Sequence, residues 1–547
     1  MKEKILVVTA LVETSPQAIP LGAACIVSAI NNSNLHNQYE AELFSFSLQD
    51  IQQSSEKEQL AALGQALLAK NPSFVCFSVF VWNYDFLARI ATQIKKERPS
   101  ITLIAGGPEI TAQLYLKEKH HSLFEVFDYA IAGSGEGAIV SLLENLPNQV
   151  KKTFYTSPYD VEKLPSPYLD KSLDPKLYSG ALWELARGCP FKCSYCYESK
   201  SEEKVVFFPL ERIKKELDFF VEKKVPQIFV LDPTYNGNKE RALEILQLIK
   251  RKAPNIFFHF EVRAEFLDKK IAKLFSEISC SLQIGLQSAH EHILKNVHRS
   301  FNKKEFSQKV SLLNQTGAVF GFDLIYGLPG DTYENFKESI DYALSLYPNH
   351  LELFKLSVLP GTRLYDDAPQ FNLEFLAHPP YHIVQSPTFS QKDLQKAQEL
   401  AASTALFYTK GRSVSWFASM LHPLRMKASK FFEDFVFFLK KENATYLNQQ
   451  KQYCIDFREV QKLQIQFVTE KYKAKHLDYL LPAVTDIINL QAALTSAYGE
   501  GRETVVNLTY YPEDLLSEYA TDLPFFVKNA QKKRKSYKVD KQGRIRS

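Results

Sequence analysis

Three of the seven cysteines lie within eight residues of one another, and this clustering bears most directly on chemistry. Cys189, Cys193 and Cys196 form a C-x3-C-x2-C pattern in the segment RGCPFKCSYC. Three thiolates at this spacing can hold three corners of a [4Fe–4S] cluster and leave the fourth iron open to another ligand. The alternatives are a structural zinc ion and inert buried cysteines. Structural zinc prefers four ligands in closely spaced pairs, and no second Cys/His pair lies near this segment.

The segments before the cysteines alternate between short apolar runs and amphipathic stretches. Strands are expected near 4–12, 42–46, 74–81, 101–105 and 129–132, with helices near 21–30, 56–70 and 87–96. Strands that alternate with helices predict a doubly wound parallel sheet, whose ligands bind beyond the carboxyl ends of the strands. Glycines follow two of these strands, at Gly106–Gly107 and at Gly133 and Gly135.

The alternation resumes after a turn-rich linker. Six β/α units are expected, with strands near 182–186, 227–231, 257–262, 281–286, 319–326 and 350–356, which is enough for a partial parallel barrel but not for eight units. From about residue 381 the pattern becomes mainly helical, and its clustered phenylalanines are expected to form a core. The fold class is therefore α/β. The expected domains are 1–150, a linker 151–180, the barrel 181–380, a helical region 381–527 and a basic tail 528–547.

The cysteine spacing, the aromatic residue before the last cysteine and the surrounding β/α units resemble the radical S-adenosylmethionine (SAM) superfamily. This resemblance implies that SAM chelates the open iron and is cleaved to a 5′-deoxyadenosyl radical. It also implies SAM contacts at the carboxyl ends of the barrel strands. The candidates are Asp232, Thr234, Glu261, Arg263, Gln287 and Ser288. Asp232 and Thr234 stand where the family carries two glycines and a glutamate, and a buried salt bridge between Glu261 and Arg263 is an alternative for that pair.

The glycine turns of the first sheet resemble the cobalamin-binding domain found in many radical SAM enzymes. The implied cobalamin contacts are Gly22, Trp82, Gly106, Gly107, Gly133, Gly135 and Glu136. Many such domains ligate cobalt through a histidine in the loop after the first strand, but the loop Thr9–Gly22 contains none. Cobalamin is therefore expected to bind without a protein histidine on cobalt. Trp82 is expected either to lie against the lower face of the corrin or to pack in the core, and a ligand-free flavodoxin-like domain is the alternative for the whole unit.

The combined resemblance implies a cobalamin-dependent methyltransferase that acts on an unactivated carbon by a radical mechanism. The alternatives are a cobalamin-dependent rearrangement or cyclisation, and an Fe–S electron-transfer or sensor protein without turnover. A methylthiotransferase is disfavoured because it needs three more N-terminal cysteines, whereas this region has only Cys25 and Cys76, which are expected to be inert. No catalytic residue is assigned, and the helical extension resembles that of a subgroup whose function is not assigned.

Composition restricts the partners. The net charge is only +4, so no nucleic-acid surface is expected on the folded body. Residues 528–547 carry nine Lys/Arg against Asp540 and are expected to form a solvated, frayed tail. No signal peptide or apolar run long enough for a membrane span is visible, which favours a cytoplasmic protein. The expected partners are a small-molecule or peptide substrate and an external electron donor of the flavodoxin or ferredoxin type.

Overall fold

Two six-stranded parallel sheets organise the chain in the computed structural model. The structure describes residues 2–51, 56–114, 126–146, 154–157, 160–198, 204–448, 452 and 455–546. The strands of the first sheet are β1 Glu3–Leu11, β2 Tyr39–Ser47, β3 Phe74–Ser78, β4 Thr102–Gly106, β5 Tyr129–Ile131 and β6 Phe154–Tyr155. The helices of this part are α1 Leu21–Asn31, α2 Leu48–Ile51, α3 Glu56–Ala69, α4 Tyr84–Glu97, α5 Pro108–Gln113 and α6 Gly135–Glu144.

Both faces of the first sheet are buried, as its apolar strands require. Leu6 and Val8 of β1 pack into one core with α3 and α4, whereas Ile5 and Val7 face the core on the other side with α1 and α6. The strand order is β2-β1-β3-β4-β5-β6. The chain places β2 on one side of β1 and then crosses back to place β3 on the other side, so the strand order reverses between β1 and β3. Doubly wound sheets bind ligands at such a switch point.

The second sheet is the partial barrel expected from the sequence. Its order is β14-β13-β12-β11-β10-β7, and all its strands are parallel. The strands are β7 Ala181–Trp183, β10 Gln227–Val230, β11 Phe257–Val262, β12 Cys280–Gln287, β13 Phe320–Tyr326 and β14 His350–Lys355. The helices are α7 Leu210–Glu222, α8 Lys239–Lys252, α9 Lys269–Ser276, α10 Glu291–Asn296, α11 Lys303–Thr316, α12 Tyr333–Ser345 and α13 Arg363–Asp367. Two short strands, β8 Ala186–Arg187 and β9 Val206–Phe207, pair across the cysteine segment.

The region after the barrel is mainly helical. Its elements are the hairpin β15 Glu374–Phe375 and β16 Ile383–Gln385, and helices α14 Gln391–Thr404, α15 Phe417–Leu421, α16 Ala428–Asn443, α17 Phe457–Ala474, α18 Leu481–Glu500, α19 Pro512–Leu515 and α20 Leu523–Asn529. Phe407, Phe431, Phe435 and Phe467 contact one another in a buried core. This confirms the aromatic core, although Phe437 on the opposite face of α16 is 68% exposed.

The expectation of a frayed tail at 528–547 is wrong. This segment contains β18 Lys532–Val539 and β19 Ile545–Arg546, which extend an antiparallel sheet from β17 Thr504–Tyr510. Tyr537 and Val539 are buried at alternating positions of β18, and this burial holds a strand whose other side chains are basic and exposed. The expected boundary at 150–151 lies outside the described residues. In the described part of the chain, none of the helices combines the length and the apolar composition of a membrane span.

Candidate active site

The cysteine segment forms a loop whose base is closed by β8 and β9 and whose middle is fixed to the barrel. The Ser194 N–H donates to the Val297 carbonyl at 3.0 Å, and the Ser194 carbonyl accepts from the Leu364 N–H at 2.8 Å. Cys193 is buried, whereas Cys189 and Cys196 are partly exposed. Burial first, and then the Cys193 and Cys189 thiols, raise the pKa of Cys196, so the three cysteines are electrostatic neighbours. A loop held on both sides, with its three cysteines close together, suits a cluster that leaves one iron to a ligand.

The other described cysteines lack reactive surroundings. Burial raises the pKa of Cys76 and of Cys280 to about 12, and it also raises the pKa of Cys25. A thiol that stays protonated is a poor nucleophile and a poor metal ligand. Cys454 lies outside the described residues. Among the described residues, no three His, Cys, Asp or Glu side chains converge on one metal-ion position.

Asp232 at the end of β10 has a different partner from the one predicted. Its carboxylate accepts a hydrogen bond from the Leu185 N–H at 3.0 Å and a second from the Ala186 N–H. Burial raises the pKa of Asp232 to about 7. Thr234 donates its hydroxyl to the Pro233 carbonyl at 2.7 Å. Asp232 therefore fixes the backbone that leads into the cysteine loop, which the sequence pattern alone does not reveal.

Glu261 and Arg263 end β11 but do not pair with each other. Arg263 forms an ion pair with Glu265 at 2.7 Å, and its guanidinium lies 3.8 Å from the centre of the Phe191 ring in the cysteine loop. The alternative of a Glu261–Arg263 salt bridge is therefore wrong. Because Phe260 and its neighbours at alternate positions are buried against the helices, Glu261 faces the lumen of the barrel. Burial, and next the nearby Asp323 carboxylate, raise the pKa of Glu261 to about 7.

Two residues at and beyond the end of β12 bear on the site: Gln287, which was predicted, and Arg299, which was not. Gln287 has a φ of 66°, and its buried Oε1 atom has no hydrogen-bond partner. Arg299 donates to the Gly285 carbonyl and also hydrogen-bonds with Cys193 and Tyr195. A buried guanidinium beside the cysteine loop fits a carboxylate. Its position, beyond the short helix α10, follows no spacing rule that the sequence could have shown.

Ser288 is buried and turned into the fold. Its hydroxyl accepts from the His290 N–H at 3.3 Å and contacts the Ser339 hydroxyl at 3.5 Å. The structure thus gives Ser288 a helix-packing role instead of an open contact.

Deeper lumen residues form a polar layer. The Gln283 amide donates to Asp323 on β13, and His350 on β14 lies 2.6 Å from Gln283 Oε1. Burial raises the pKa of Asp323 to about 7. An amino acid joined to a nucleoside needs hydrogen-bond acceptors and a cation. Glu261, Asp323 and Gln287 Oε1 supply the acceptors, and the Arg299 guanidinium supplies the cation. The residues present therefore fit SAM.

Trp82 lies at the switch point of the first sheet. Its indole N–H donates to the Ala10 carbonyl of β1 at 3.3 Å, and its ring stacks on Phe80 with 4.5 Å between centroids. Asn83 ties the same turn to the sheet, since its amide donates to Ala10 at 3.0 Å. Trp82 is nevertheless 49% exposed, so the core-packing alternative is wrong. The first sheet thus presents a fixed, open aromatic face.

The glycines of this edge have two different roles. A Cβ added at Gly22 or at Gly133 would meet no atom within 4 Å, so the backbone there is open to a ligand. At Gly107, with φ of +107°, a Cβ would lie 2.6 Å from the Val79 carbonyl oxygen. At Gly135 it would lie 2.7 Å from the Ile26 side chain. Gly107 is therefore required by the close backbone of Val79, whereas Gly135 is crowded only by the end of a flexible side chain. The open backbone at Gly22 and Gly133 is what a corrin ring would need.

Gly106 is neither crowded nor fully open, since its nearest neighbour for a Cβ is Ile131 at 3.7 Å. Glu136 follows the second glycine turn but is buried and forms an ion pair with Arg187 at 2.6 Å. His36, the first histidine of the chain, precedes β2 and so lies at the amino edge of the sheet, opposite Trp82. The open glycines and the exposed indole fit cobalamin, and Glu136 faces the barrel instead.

A separate groove of about 1080 Å³ lies outside the lumen, between the end of β14 and helices α12, α14 and α16. Lys355 and Phe437 line it, and none of the predicted site residues does. The candidate active site is therefore the lumen and the facing edge of the first sheet.

Comparisons with known proteins agree with this division of the chain. Residues 11–143 match the B12 binding domain, and residues 183–343 match the radical SAM superfamily. The cobalamin-dependent radical SAM methyltransferase TokK of Streptomyces tokunonensis is 23% identical over 337 residues, which are 54% of this chain and 48% of TokK. The 2-(S-pantetheinyl)-carbapenam-3-carboxylate methyltransferase of Streptantibioticus cattleyicolor is 23% identical over 53% of this chain and 48% of its own.

The chain thus spans about half the length of the curated relatives it matches. Among solved structures, the cobalamin-dependent SAM radical enzyme OxsB superposes with a TM-score of 0.58 and 14% identity, covering 87% of this chain and 80% of its own. The radical SAM methyltransferase TsrM from Kitasatospora setae gives 0.53 and 16% identity, covering 68% and 77%. At these identities the likeness shows the fold alone, and it confirms the predicted sheet, barrel and helical extension.

Proposed function

We propose that this chain, a radical SAM enzyme whose two matched domains assign it a [4Fe–4S] cluster, SAM and cobalamin, is a methyltransferase acting on an unactivated carbon. The observation that carries the proposal is the exposed Trp82 indole at the switch point of the first sheet, next to a loop, Thr9–Gly22, that contains no histidine. When cobalamin is bound, the Trp82 indole would stack on the corrin and keep protein donor groups away from the cobalt. The sequence likeness to two methyltransferases supports the same outcome.

The residues of the lumen would hold SAM at both of its ends. Arg299, next to the cysteine loop, would bind the carboxylate of the methionyl part, and Glu261 would accept hydrogen bonds from its ammonium group. Gln287 Oε1 and Asp323 would accept hydrogen bonds from ribose hydroxyls. When bound, the cluster supplies an electron that cleaves SAM, and cobalamin supplies a methyl group that a carbon radical can accept.

Asp232 and Arg263 would hold the cysteine loop instead of contacting SAM. Asp232 fixes the backbone before the loop, and the Arg263 guanidinium lies on Phe191 within it. Thr234 and Ser288, with hydroxyls bonded inside the fold, would shape the ends of their strands. The helices after residue 381 would cover the barrel and keep water from a reactive carbon centre.

The partners and bounds follow from the same proposal. The substrate is a small molecule or a peptide, the electron donor is of the flavodoxin or ferredoxin type, and no nucleic acid takes part. Residues 1–150 form the cobalamin domain and 181–380 the radical SAM domain, joined by the linker 151–180. Such a protein works in the cytoplasm, where low-potential electron carriers are available.

The test is anaerobic incubation of the reconstituted protein with SAM, cobalamin, a reductant and candidate substrates. Each turnover should consume two SAM molecules and yield one S-adenosylhomocysteine and one 5′-deoxyadenosine, and methyl-deuterated SAM should label the product. Substrate turnover with 5′-deoxyadenosine but without a transferred methyl group would assign the chain to rearrangement or cyclisation. Absence of SAM cleavage under all conditions would favour an electron-transfer or sensor protein.

A further inference from the structure

Arg187 connects the cysteine loop to the N-terminal domain. It precedes Cys189 by two residues, and its Nη2 atom lies 2.6 Å from Oε1 of Glu136 on α6. Its Nε atom lies 2.7 Å from Oε1 of Glu184. The side chains of Arg187 and Glu136 are only 16% and 8% exposed, and the guanidinium lies 5.5 Å from the centre of the Phe208 ring. Water therefore screens this contact little, and the two partners depend on each other.

Glu136 belongs to the open edge of the first sheet. It stands in the first turn of α6, three residues after Gly133, where the backbone faces open space. The Gly133 N–H donates to Thr111 Oγ1 at 2.9 Å, which fixes the turn against α5. A ligand on Gly133 would therefore contact the fixed turn that carries Glu136, and Glu136 holds the arginine at the start of the cysteine loop.

We infer that Glu136 and Arg187 are positioning residues that couple cobalamin binding to the cluster loop. The inference rests on the proposed function in that it requires both cofactors to bind, but it does not depend on methyl transfer. Coupling between two sites is reciprocal, so each cofactor should strengthen the binding of the other. The cluster-loaded protein should bind cobalamin at least about fivefold more tightly than the cluster-free protein, the lower bound of typical couplings.

A second contact between the same two parts of the chain provides a matched control. The Tyr381 hydroxyl, beyond the barrel, donates to Oε1 of Glu109 at 2.5 Å. Glu109 is buried in the first turn of α5 and so resembles Glu136 in position. Tyr381, however, lies far along the chain from the cysteine loop. Tyr381→Phe removes an interdomain hydrogen bond without touching the Arg187 pair.

The experiment measures the dissociation constant of hydroxocobalamin by anaerobic absorbance titration, with and without the reconstituted cluster. The ratio of the two constants is compared among the unmodified protein, Glu136→Gln and Tyr381→Phe. The ratio should fall to about one in Glu136→Gln and stay unchanged in Tyr381→Phe. Arg187→Gln and the double variant should also bring the ratio to about one, because each of the three variants removes the Glu136–Arg187 interaction, although Arg187→Gln additionally removes the ion pair with Glu184.

A second readout comes from the cluster side. Bound cobalamin should increase the iron that remains after a chelator challenge in the unmodified protein, but not in either single variant of the pair. If Glu136→Gln does not fold, which thermal unfolding would show, the comparison is made with Arg187→Gln.

The coupling is refuted by a ratio near one in the unmodified protein, or by a ratio that survives in Glu136→Gln. An equal loss in Tyr381→Phe would assign the effect to domain docking in general and would refute the pair. If the unmodified protein binds no cobalamin in either state, the cofactor assignment itself fails, and the coupling fails with it. A ratio near one with intact cobalamin binding leaves the proposed function standing.

Discussion

Gly22→Leu should affect cobalamin binding with less effect on folding than a change at any of the other predicted cobalamin glycines. Gly22 is exposed in the first turn of α1, and a Cβ there would meet no protein atom within 4 Å. Leucine should therefore fit the folded protein without strain, and it favours a helix over glycine by at most about 0.8 kcal/mol. If cobalamin lies on Gly22, the added side chain must intrude on it, and overpacking costs about 1–3 kcal/mol. Since about 1.4 kcal/mol is tenfold in affinity, cobalamin should bind about 5- to 150-fold more weakly.

The assay pairs cobalamin titration with urea unfolding of the same preparations. Gly499→Leu is the matched control, because Gly499 lies in the last turn of α18 and also has no atom within 4 Å of a Cβ. Both variants should unfold at or above the midpoint of the unmodified protein, and only Gly22→Leu should lose affinity. Equal cobalamin affinity in the two variants would refute the placement of the corrin on Gly22. A lowered unfolding midpoint in Gly22→Leu would refute the claim that the site is open.

Three further predictions concern the cluster, the cobalt and the pH dependence. Replacing the three loop cysteines by alanine should abolish a content of about four irons per chain, whereas Cys76→Ala and Cys280→Ala should keep it; iron in the triple variant would contradict the assignment. EPR of bound cob(II)alamin should lack nitrogen splitting from a protein ligand, since the loop Thr9–Gly22 has no histidine, and clear splitting would be the contrary result. Burial raises the pKa of Asp232 to about 7, from about 3.9 in the unfolded chain. Between about pH 3.9 and 7 the folded state therefore holds a proton that the unfolded state has lost. The free energy of unfolding falls as the pH rises through this range, by at most about 4 kcal/mol. Thermal unfolding of Asp232→Asn should show a smaller loss of Tm from pH 5 to pH 8 than the unmodified protein, and identical losses would disprove this account.

Periodicity was enough to predict the sheets, because long apolar strands and amphipathic helices carry their own signal. The strand at 257–262 has the predicted bounds. The run 182–186, predicted as one strand, is divided into β7 and β8, since its second half pairs with β9 around the cysteine loop. The basic strand β18 was missed because its charges outnumber its two buried residues. Charge density predicts solvation, but a strand with one buried face needs only alternate apolar positions.

The sequence was enough to predict that polar residues form the site, but not which groups each of them contacts. Polar side chains do end the barrel strands, but whether each one faces the lumen or bonds inside the fold depends on local turns. Asp232 and Glu261 occupy similar strand ends, yet Asp232 accepts backbone hydrogen bonds and Glu261 faces the lumen. Arg299 reaches the cysteine loop from beyond α10, a contact that the fold creates and that no spacing in the sequence encodes.

The two glutamates after the glycine turns show why domain arrangement lies beyond single-sequence reasoning. An acid in the first turn of a helix complements the helix dipole wherever it occurs, so Glu109 and Glu136 carry no local mark of a further role. Their partners, Tyr381 and Arg187, lie 272 and 51 residues away. Both acids follow turns at the open edge, and both are buried against residues outside their own domain. The same short segments therefore form the open edge of the first sheet and contact residues beyond it, so that a change in the Glu136–Arg187 contact should weaken the coupling between the two cofactors, whereas loss of the Glu109–Tyr381 contact should leave it unchanged.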